Sequence, residues 1–294
     1  MAIPEDLLNK WAKPTPNDKA TQTYHKFKEI IESVYHGEVE VSLQGSYAND
    51  TNIKSESDVD IVVLYKNVQC NRTLYNPHSY DNWIKILKDY TYDLLNGKSN
   101  FILTKGSKTV KYAGNQNYLA VDLVPAGIYS GTTIGDSGIA IYDSQDGYIY
   151  YNYPKQHINK GHEKNANANG NYKKTVRMFK WAKEVLIKEG LLRSERAPSY
   201  FIECLLYNVP NYLFVNNNAE CFFNVLRWLY QNQNSLGNIK CQNGKHYLFN
   251  EGYVSFERVY AYNKWNVSDA QAYINALVNI WNNWGEINEL FSNK

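Results

Sequence analysis

Two aspartates separated by a single residue, Asp58 and Asp60, are the side chains whose types and spacing first suggest chemistry. The apolar run that follows them, residues 61–64, predicts a buried strand. Because successive side chains of a strand point to opposite faces, both carboxylates project to the same side. The pair can therefore share a metal ion.

A third aspartate, Asp122, is the lone acid in the apolar segment Ala-Val-Asp-Leu-Val, residues 120–124. A buried carboxylate is costly unless it is paired or bound to a cation. Oxygen ligands of this kind suit Mg²⁺ or Mn²⁺, which keep coordination positions for waters and phosphates. Two such ions would hold the attacking hydroxyl and the leaving pyrophosphate of a phosphoryl transfer. The three aspartates are therefore candidate catalytic residues and metal ligands.

A phosphate cradle is the second requirement of such chemistry, and Gly45 followed by Ser46 is the candidate. Residues 38–43 alternate polar with apolar side chains, which predicts a strand that runs into this pair. Glycine permits a tight turn and close backbone approach, and serine offers a hydroxyl and an N–H to phosphate oxygens. Alone, a Gly-Ser pair is an ordinary turn, and Asp-x-Asp also occurs in glycosyltransferases and at solvated strand ends. The combination is more specific than either motif.

The elements that must position these residues follow from hydrophobic periodicity and turn residues. The predicted order is a helix at 17–35, strands at 38–43 and 58–65, a helix at 80–95, strands at 109–112 and 117–124, a hairpin at 138–153 turning at 144–147, a polar stretch at 164–172, and helices near 172–188, 199–208, 218–232 and 268–284. This order predicts a mixed α+β fold in which the polar stretch separates two lobes. We expect a catalytic sheet lobe with a long N-terminal helix at 1–165 and a helical lobe at 166–294.

Three segments together resemble the signature of polymerase-β-like nucleotidyltransferases: Gly45-Ser46-Tyr-Ala-Asn-Asp-Thr51, Ser57-Asp58-Val-Asp60-Ile-Val-Val, and Val121-Asp122-Leu-Val-Pro125. More narrowly, the chain resembles, over nearly its whole length, the bacterial relatives of cyclic GMP-AMP synthase. These are the CD-NTase family of antiphage (CBASS) signalling enzymes. Residues 171–180 and 197–203 are similar to the two helices with which that family holds the triphosphate and the base of a nucleotide.

The resemblance implies a polymerase-β-like sheet lobe and a helical lobe that closes the nucleotide cleft. It also implies a role for each matching residue. The aspartates would hold two Mg²⁺ or Mn²⁺ ions, and Asp122 would help to deprotonate the acceptor hydroxyl. The implied roles at the donor nucleotide are contact with the triphosphate by Gly45, Ser46, Lys180 and Ser199, and stacking on the base by Tyr200.

The residues of the later segment leave plainer interpretations open. Lys173, Arg177 and Lys180 recur at helical spacing and form one cationic stripe, which can equally be a solvated face with Lys180 paired to Glu184. Ser199 can cap a helix while Tyr200, beside it, packs in the core. The six histidines show no metal-binding spacing, so structural or surface roles are expected for them.

Composition limits the partners and the compartment. Lys and Arg number 31 against 29 Asp and Glu, so the net charge of +2 gives no global field for nucleic acid. The four cysteines lack CxxC spacing, which indicates neither a zinc cluster nor a disulfide framework. The N-terminal residues do not have a signal-peptide pattern, and no apolar run approaches the roughly 18 residues of a membrane span. We expect a cytoplasmic monomer with no membrane contact.

The resemblance implies an enzyme that condenses two or three nucleoside triphosphates into a cyclic second messenger and releases pyrophosphate. In antiphage defence, the diffusible product would reach a downstream effector. A linear template-free polymerase and a nucleotide-transferring toxin remain alternatives, because they share the three acids. A catalytically silent RNA or nucleotide sensor is a further alternative. Scattered lysines fit either a solvated surface or an RNA activator site, so a trigger by RNA stays open.

Overall fold

The computed structural model describes residues 2–54, 58–71, 81–130, 137–242 and 266–285. Ser57 of the quoted motif, residue 80 of the predicted helix, His78 and His246 lie outside these ranges. The elements in chain order are α1 (Glu5–Ala12), α2 (Asp18–Tyr35), β1 (Val39–Leu43), α3 (Gly45–Ala48), β2 (Val59–Asn71), α4 (Asp81–Asn96), β3 (Leu103–Lys105), β4 (Val110–Tyr112), β5 (Val121–Ser130), β6 (Ser137–Tyr142), β7 (Ile149–Asn152), α5 (Pro154–Asn167), α6 (Asn171–Lys188), α7 (Ser199–Tyr207), α8 (Asn218–Gln231) and α9 (Val267–Asn282).

The described chain divides into two compact units. The sheet unit comprises the described residues of 15–155, and the helical unit comprises residues 2–14, 156–242 and 266–285. The first 14 residues therefore group with the helices, although the sequence pattern places them in the catalytic lobe. The predicted α+β class is confirmed.

Within the described residues, seven strands form one mixed sheet in the order β1-β2-β5-β4-β3, and β6 pairs with β5 and β7. β2 and β5 are parallel, whereas β1 pairs with β2 and β4 pairs with β5 in antiparallel fashion. The two strands predicted to carry the acids are thus direct neighbours in the centre of the sheet. This pairing determines which acidic side chains lie opposite each other.

Helices α2 and α4 hold the strand that carries the Asp-x-Asp pair. Phe27 and Ile31 of α2 are buried in the same apolar cluster as Val63 of β2. The Tyr65 hydroxyl of β2 lies 2.7 Å from the Tyr35 hydroxyl of α2 and 2.6 Å from Thr91 Oγ1 of α4. Buried hydroxyls need such partners, so this chain of bonds fixes both helices against the strand.

Helix α6 lies at the centre of the helical unit, and α1 packs against it. The Arg177 Nε–H of α6 donates to the Ala12 carbonyl of α1 at 2.9 Å. The Glu5 carboxylate of α1 accepts from the backbone N–H of Asn218, at the start of α8, at 3.1 Å. An acidic side chain at a helix N-terminus is favourable, because the first N–H groups lack helical partners. These contacts explain why residues 2–14 belong to the helical unit.

The polar stretch at 164–172 does not separate two lobes, which corrects the prediction. Its first part completes α5, and its last residues begin α6. Asn165 Oδ1 accepts from the Lys173 backbone N–H at 3.0 Å, and the Lys164 side chain donates to the Val209 carbonyl. Asparagines in this stretch therefore satisfy helix-end groups instead of forming a solvated linker.

The other predicted elements are confirmed, most of them within two residues at their ends. The strands predicted at 58–65 and 117–124 each end about six residues later than predicted, and the second begins about four residues later. Helix α2 ends as expected, with His36 in the left-handed conformation at φ 46°. Elements α1, α3, β3 and α5 were not predicted from the sequence. Among the helices that the structure describes, none is long and apolar enough to cross a membrane.

Candidate active site

Asp60 and Asp122 form the centre of the candidate site in the sheet unit. They are direct partners in the register of the parallel strands β2 and β5. Both are partly exposed, and Asp58 is exposed just before β2 begins. Side chains at paired positions of neighbouring strands share a face of the sheet, so the predicted convergence of these acids follows from the register.

Burial and neighbouring carboxylates raise the pKa values of Asp60 and Asp122. Burial, followed by repulsion from Asp122 and Asp58, raises the pKa of Asp60 to about 7. Burial also raises the pKa of Asp122, an effect that the neighbouring Lys111 ammonium opposes. Like charges held close together disfavour joint ionisation unless a cation compensates them. The site therefore favours a bound cation.

Lys111 is a site residue that the sequence reasoning missed. It lies opposite Asp122 in the antiparallel pair of β4 and β5, and its Nζ is 3.6 Å from Asp122 Oδ1. Half of the Lys111 side chain is exposed. The sequence contained a signal for this position, because Lys111 lies between the apolar residues Val110 and Tyr112. In the structure both neighbours are buried, and the alternation of a strand turns Lys111 to the opposite face.

Gly45 approaches the acids so closely that no side chain fits at its position. It begins α3, a single turn of helix where the sequence predicted only a turn, with φ of 72°. A Cβ at Gly45 would overlap the Asp60 carboxylate. The Gln44 N–H donates to the Asp60 carbonyl at 3.0 Å and fixes this approach. Ser46 follows Gly45 in the same turn of helix and is partly exposed.

The donor set fits a divalent cation, although the ligand side chains are not arranged around one. In the described ranges, no group of three or more His, Cys, Asp or Glu side chains has the arrangement of a metal centre. Three neighbouring carboxylates that repel one another are nevertheless the hard oxygen ligands that Mg²⁺ and Mn²⁺ select. Asp58, Asp60 and Asp122 are thus a potential ligand set.

Ser199 and Tyr200 begin α7 in the helical unit. Pro198 occupies the N-cap position, so Ser199 does not cap the helix, and its side chain is exposed. Tyr200 is half-buried, and its hydroxyl lies 2.9 Å from His157 Nε2. Tyr200 therefore packs partly against the helical core and keeps part of its surface accessible.

Lys180 lies in the interior of the helical unit. Its side chain is 2% exposed, and its Nζ is 2.5 Å from Glu203 Oε1 of α7. Burial lowers the pKa of Lys180, and the Glu203 carboxylate opposes that shift. Lys173 and Arg177 of the same stripe are also buried, so the interpretation as a solvated basic face is wrong. A phosphate contact by Lys180 would require its ammonium to leave Glu203, and this role stays a prediction.

The sheet unit thus brings together Gly45, Ser46 and the three aspartates, and the helical unit holds Lys180, Ser199 and Tyr200. A sheet with paired aspartates on adjacent strands beside a glycine turn defines a nucleotidyltransferase domain. Two family models match the chain. The model described as "Nucleotidyltransferase domain" matches residues 25–126, and the model described as "cGAS/DncV-like nucleotidyltransferase C-terminal helical domain" matches residues 159–282.

Curated relatives agree with both matches. The chain is 32% identical to the cyclic UMP-AMP synthase of Rhodothermus marinus, with 97% of this chain and 100% of that protein covered. It is 31% identical to the cyclic nucleotide synthase CdnE01 of Staphylococcus haemolyticus, with the same coverage. The protein therefore belongs to the cGAS/DncV-like nucleotidyltransferases, the CD-NTase family.

Two solved structures share this fold. The CdnE c-UMP-AMP synthase of Rhodothermus marinus, solved with Apcpp and Upnpp, has a TM-score of 0.78 at 30% identity, covering 96% of this chain and 98% of that one. CdnE of Elizabethkingia meningoseptica, solved with GTP and Apcpp, has a TM-score of 0.79 at 25% identity, covering 94% and 98%. The predicted family and enzyme class are confirmed, and the protein is a nucleotidyltransferase that condenses nucleoside triphosphates into cyclic nucleotides.

Proposed function

We propose that this enzyme joins two nucleoside triphosphates into a cyclic dinucleotide, with one pyrophosphate released at each of two bond-forming steps. The observation that supports this proposal best is the pairing of Asp60 with Asp122 on adjacent parallel strands, directly beside Gly45. Relatives named for their products make cyclic UMP-AMP, dipurine and dipyrimidine nucleotides, so ring size is shared among them while the bases vary.

Asp58, Asp60 and Asp122 are the proposed metal ligands, and two Mg²⁺ or Mn²⁺ ions are the proposed cofactors. Nucleotidyltransferases of this class use divalent metals, which supply neutralisation of the triphosphate and activation of the attacking hydroxyl. Asp122 is the proposed acceptor of the proton that leaves the acceptor hydroxyl.

Four further groups are proposed to bind the donor nucleotide. The glycine at position 45 lets the triphosphate approach the backbone, and the Ser46 hydroxyl donates to it. Ser199 is exposed at the start of α7, where it can donate to a phosphate oxygen. Tyr200 is proposed to stack on the base, a contact worth about 1–3 kcal/mol that tolerates different bases. Lys180 is proposed to neutralise phosphate charge after exchange of its partner Glu203.

The remaining expectations stay proposals about the cell. We place the enzyme in the cytoplasm as a monomer, and its four free cysteines, all buried, fit a reducing compartment. The messenger is proposed to act in antiphage defence on an effector that it reaches by diffusion. Activation by RNA stays a prediction from the sequence pattern.

The decisive experiment incubates the purified protein with all four ribonucleoside triphosphates and Mg²⁺ or Mn²⁺, followed by phosphatase and mass detection. A phosphatase-resistant species at the mass of a cyclic dinucleotide supports the proposal and names the two bases. A cyclic trinucleotide would correct the ring size, and a linear ladder would support a template-free polymerase instead. Label transferred to a macromolecule in a lysate would support a toxin.

A matched pair of variants separates the acid cluster from general effects of charge removal. Asp58→Asn combined with Asp60→Asn should abolish product formation, because amides bind hard cations poorly. Asp93→Asn removes an exposed carboxylate of α4 that lies 3.8 Å from the Lys105 ammonium, and it should leave turnover unchanged. Substantial turnover by the first variant would contradict the metal assignment.

A further inference from the structure

The hydroxyl of Tyr200 is held inside the helical unit by a buried histidine. His157 of α5 is 8% exposed, and its Nε2 lies 2.9 Å from the Tyr200 hydroxyl oxygen. The two rings are also in contact, with centroids 5.0 Å apart and planes tilted by 33°. His157 thus contacts both the polar end and the ring of the tyrosine.

A second residue fixes His157 itself. Gln242, which is 1% exposed, donates from Nε2 to the His157 carbonyl at 2.8 Å. The backbone N–H of Gln242 lies 3.4 Å from the Cys204 Sγ, one helical turn after Tyr200 in α7. Gln242 therefore ties the histidine of α5 to the helix that carries the tyrosine.

The segment that bears Gln242 is bound to the end of the same helix. Asn208 Nδ2 donates to the Lys240 carbonyl at 2.7 Å, and Asn208 Oδ1 accepts from the Lys240 N–H at 3.0 Å. Such paired amide bonds fix both the distance and the direction of the segment. Buried polar groups that are mutually bonded give one defined arrangement, because any other arrangement would leave them without partners.

We propose that His157 is a positioning residue that fixes the ring plane of Tyr200 for stacking on the base of the donor nucleotide. This inference rests on the proposed function of Tyr200. Tyr200 also packs on the helical core and interacts with Cys204 and Cys241, and the bond to His157 adds a constraint to these contacts. Loss of the bond would give the ring more freedom, which nucleotide binding would then have to remove at a cost in affinity. The bond to His157 orders the Tyr200 ring in the free protein, before a nucleotide base binds to it.

The test measures binding of the imido analogues of the four ribonucleoside triphosphates, with Mg²⁺, by isothermal titration calorimetry. His157→Phe retains a ring but removes the hydrogen bond. His157→Phe and Tyr200→Phe should each weaken binding by about threefold to tenfold. The double variant should be no weaker than Tyr200→Phe alone, because Tyr200→Phe already lacks the bond to His157. His157→Gln, whose amide can bond the hydroxyl, should restore affinity to within about twofold of the original protein.

A matched control is His25→Phe, which makes the same substitution at a Tyr-His ring contact on α2, with centroids 5.4 Å apart. It should leave nucleotide binding unchanged. Two results would overturn the inference. One is a loss of affinity in the double variant equal to the product of the two single losses, and the other is unchanged binding by Tyr200→Phe. If His157→Phe fails to fold, Tyr200→Phe is compared with the double variant that combines it with His157→Gln. Equal affinities of these two proteins support the inference, and independent losses overturn it.

Tyr200→Ala separates this inference from the proposed function. Weaker binding of the analogues by Tyr200→Ala, with normal binding by Tyr200→Phe, would keep stacking and reject positioning by His157. Normal binding by Tyr200→Ala would reject the stacking role and the inference with it. In a full assay, the positioning role predicts a higher KM for the donor with kcat nearly unchanged, which a loss of folded protein would not produce.

Discussion

Asp60 lies directly opposite Asp122 across two parallel strands, and the Asp60 carboxylate fills the space where Gly45 would carry a side chain. The fold therefore holds two like charges together and leaves only backbone beside one of them. Lys111, at 3.6 Å from Asp122, compensates part of this charge. The remaining repulsion makes the acid pair unfavourable for folding and favourable for cation binding.

Asp60→Asn should reduce turnover by more than about 100-fold, which exceeds the loss typical for outer partners of a metal. The fold should survive, because the amide fits the same space and removes a repelling charge. Initial rates with saturating Mn²⁺ and a thermal melt of the metal-free protein check both statements. A variant with a lower melting temperature and normal turnover would contradict this prediction on both counts.

The stability of the metal-free protein should depend on Asp60 in a defined pH window. The folded-state pKa of Asp60 is raised to about 7, whereas an aspartate in the unfolded chain titrates near its ordinary value of 3.8. The folded state therefore binds the proton more tightly, and its stability falls as pH rises from about 4 to about 7. Asp60→Asn lacks this loss of stability. The unfolding free energy of the variant minus that of the original protein should therefore be larger at pH 8.5 than at pH 5. Urea titrations at both values measure the difference, and an equal offset at both would contradict the raised pKa.

The strands of the site could be predicted from sequence because their signals are local. Alternation and apolar runs located β1, β2 and β5, and the helical spacing of α2 located its end at His36. The register of Asp60 against Asp122 could not be derived in this way, since parallel pairing joins segments about 60 residues apart. The resemblance to a known family supplied that convergence.

The missed features depend on distant partners. Helix α1 is eight residues long and is stabilised by Arg177 of α6 and by its own contact with α8, which no local pattern reveals. His157 has no motif around it, and its role follows only from a hydroxyl 43 residues away. The buried pair of Lys180 and Glu203 likewise joins two helices, so the helical spacing of the cations alone could not show whether their stripe was solvated.

Lys111→Met should increase the affinity of the metal-free protein for Mn²⁺ by about twofold to fivefold at pH 8.5. The ammonium competes with the metal for Asp122, and a half-exposed pair is worth about 0.2–1 kcal/mol. This pH lies above the pKa of Asp60, so protons do not mask the effect. Electron paramagnetic resonance of free Mn²⁺ measures the affinity without nucleotide.

Lys105→Met is the control for this experiment. Lys105 lies in the neighbouring strand β3, and its ammonium pairs with Asp89 of α4 at 2.9 Å. Removal of this cation should leave Mn²⁺ affinity unchanged. Equal affinity in the Lys111 and Lys105 variants would show that the ion pair with Asp122 does not limit metal binding.

Gly45→Ala should both destabilise the protein and inactivate it. The positive φ of 72° costs an alanine roughly 1–2 kcal/mol, and the added Cβ would also displace the Asp60 carboxylate. Gly147→Ala is the matched control, because Gly147 has φ of 78° and open space around its Cβ position. It should show the backbone cost alone, with normal turnover. Equal activity losses in the two variants would argue against close approach at Gly45 as the cause.

Lys180→Met should destabilise the helical unit by about 3–5 kcal/mol, because it leaves the Glu203 carboxylate buried without its ammonium partner. Combining it with Glu203→Leu should recover most of that loss, since both charges are then absent from the interior. Unfolding in urea measures the two free energies. The double variant then tests the proposed phosphate role separately: if it is stable but binds triphosphate analogues normally, Lys180 is a structural residue, whereas weak binding by a stable double variant supports contact with the donor phosphates.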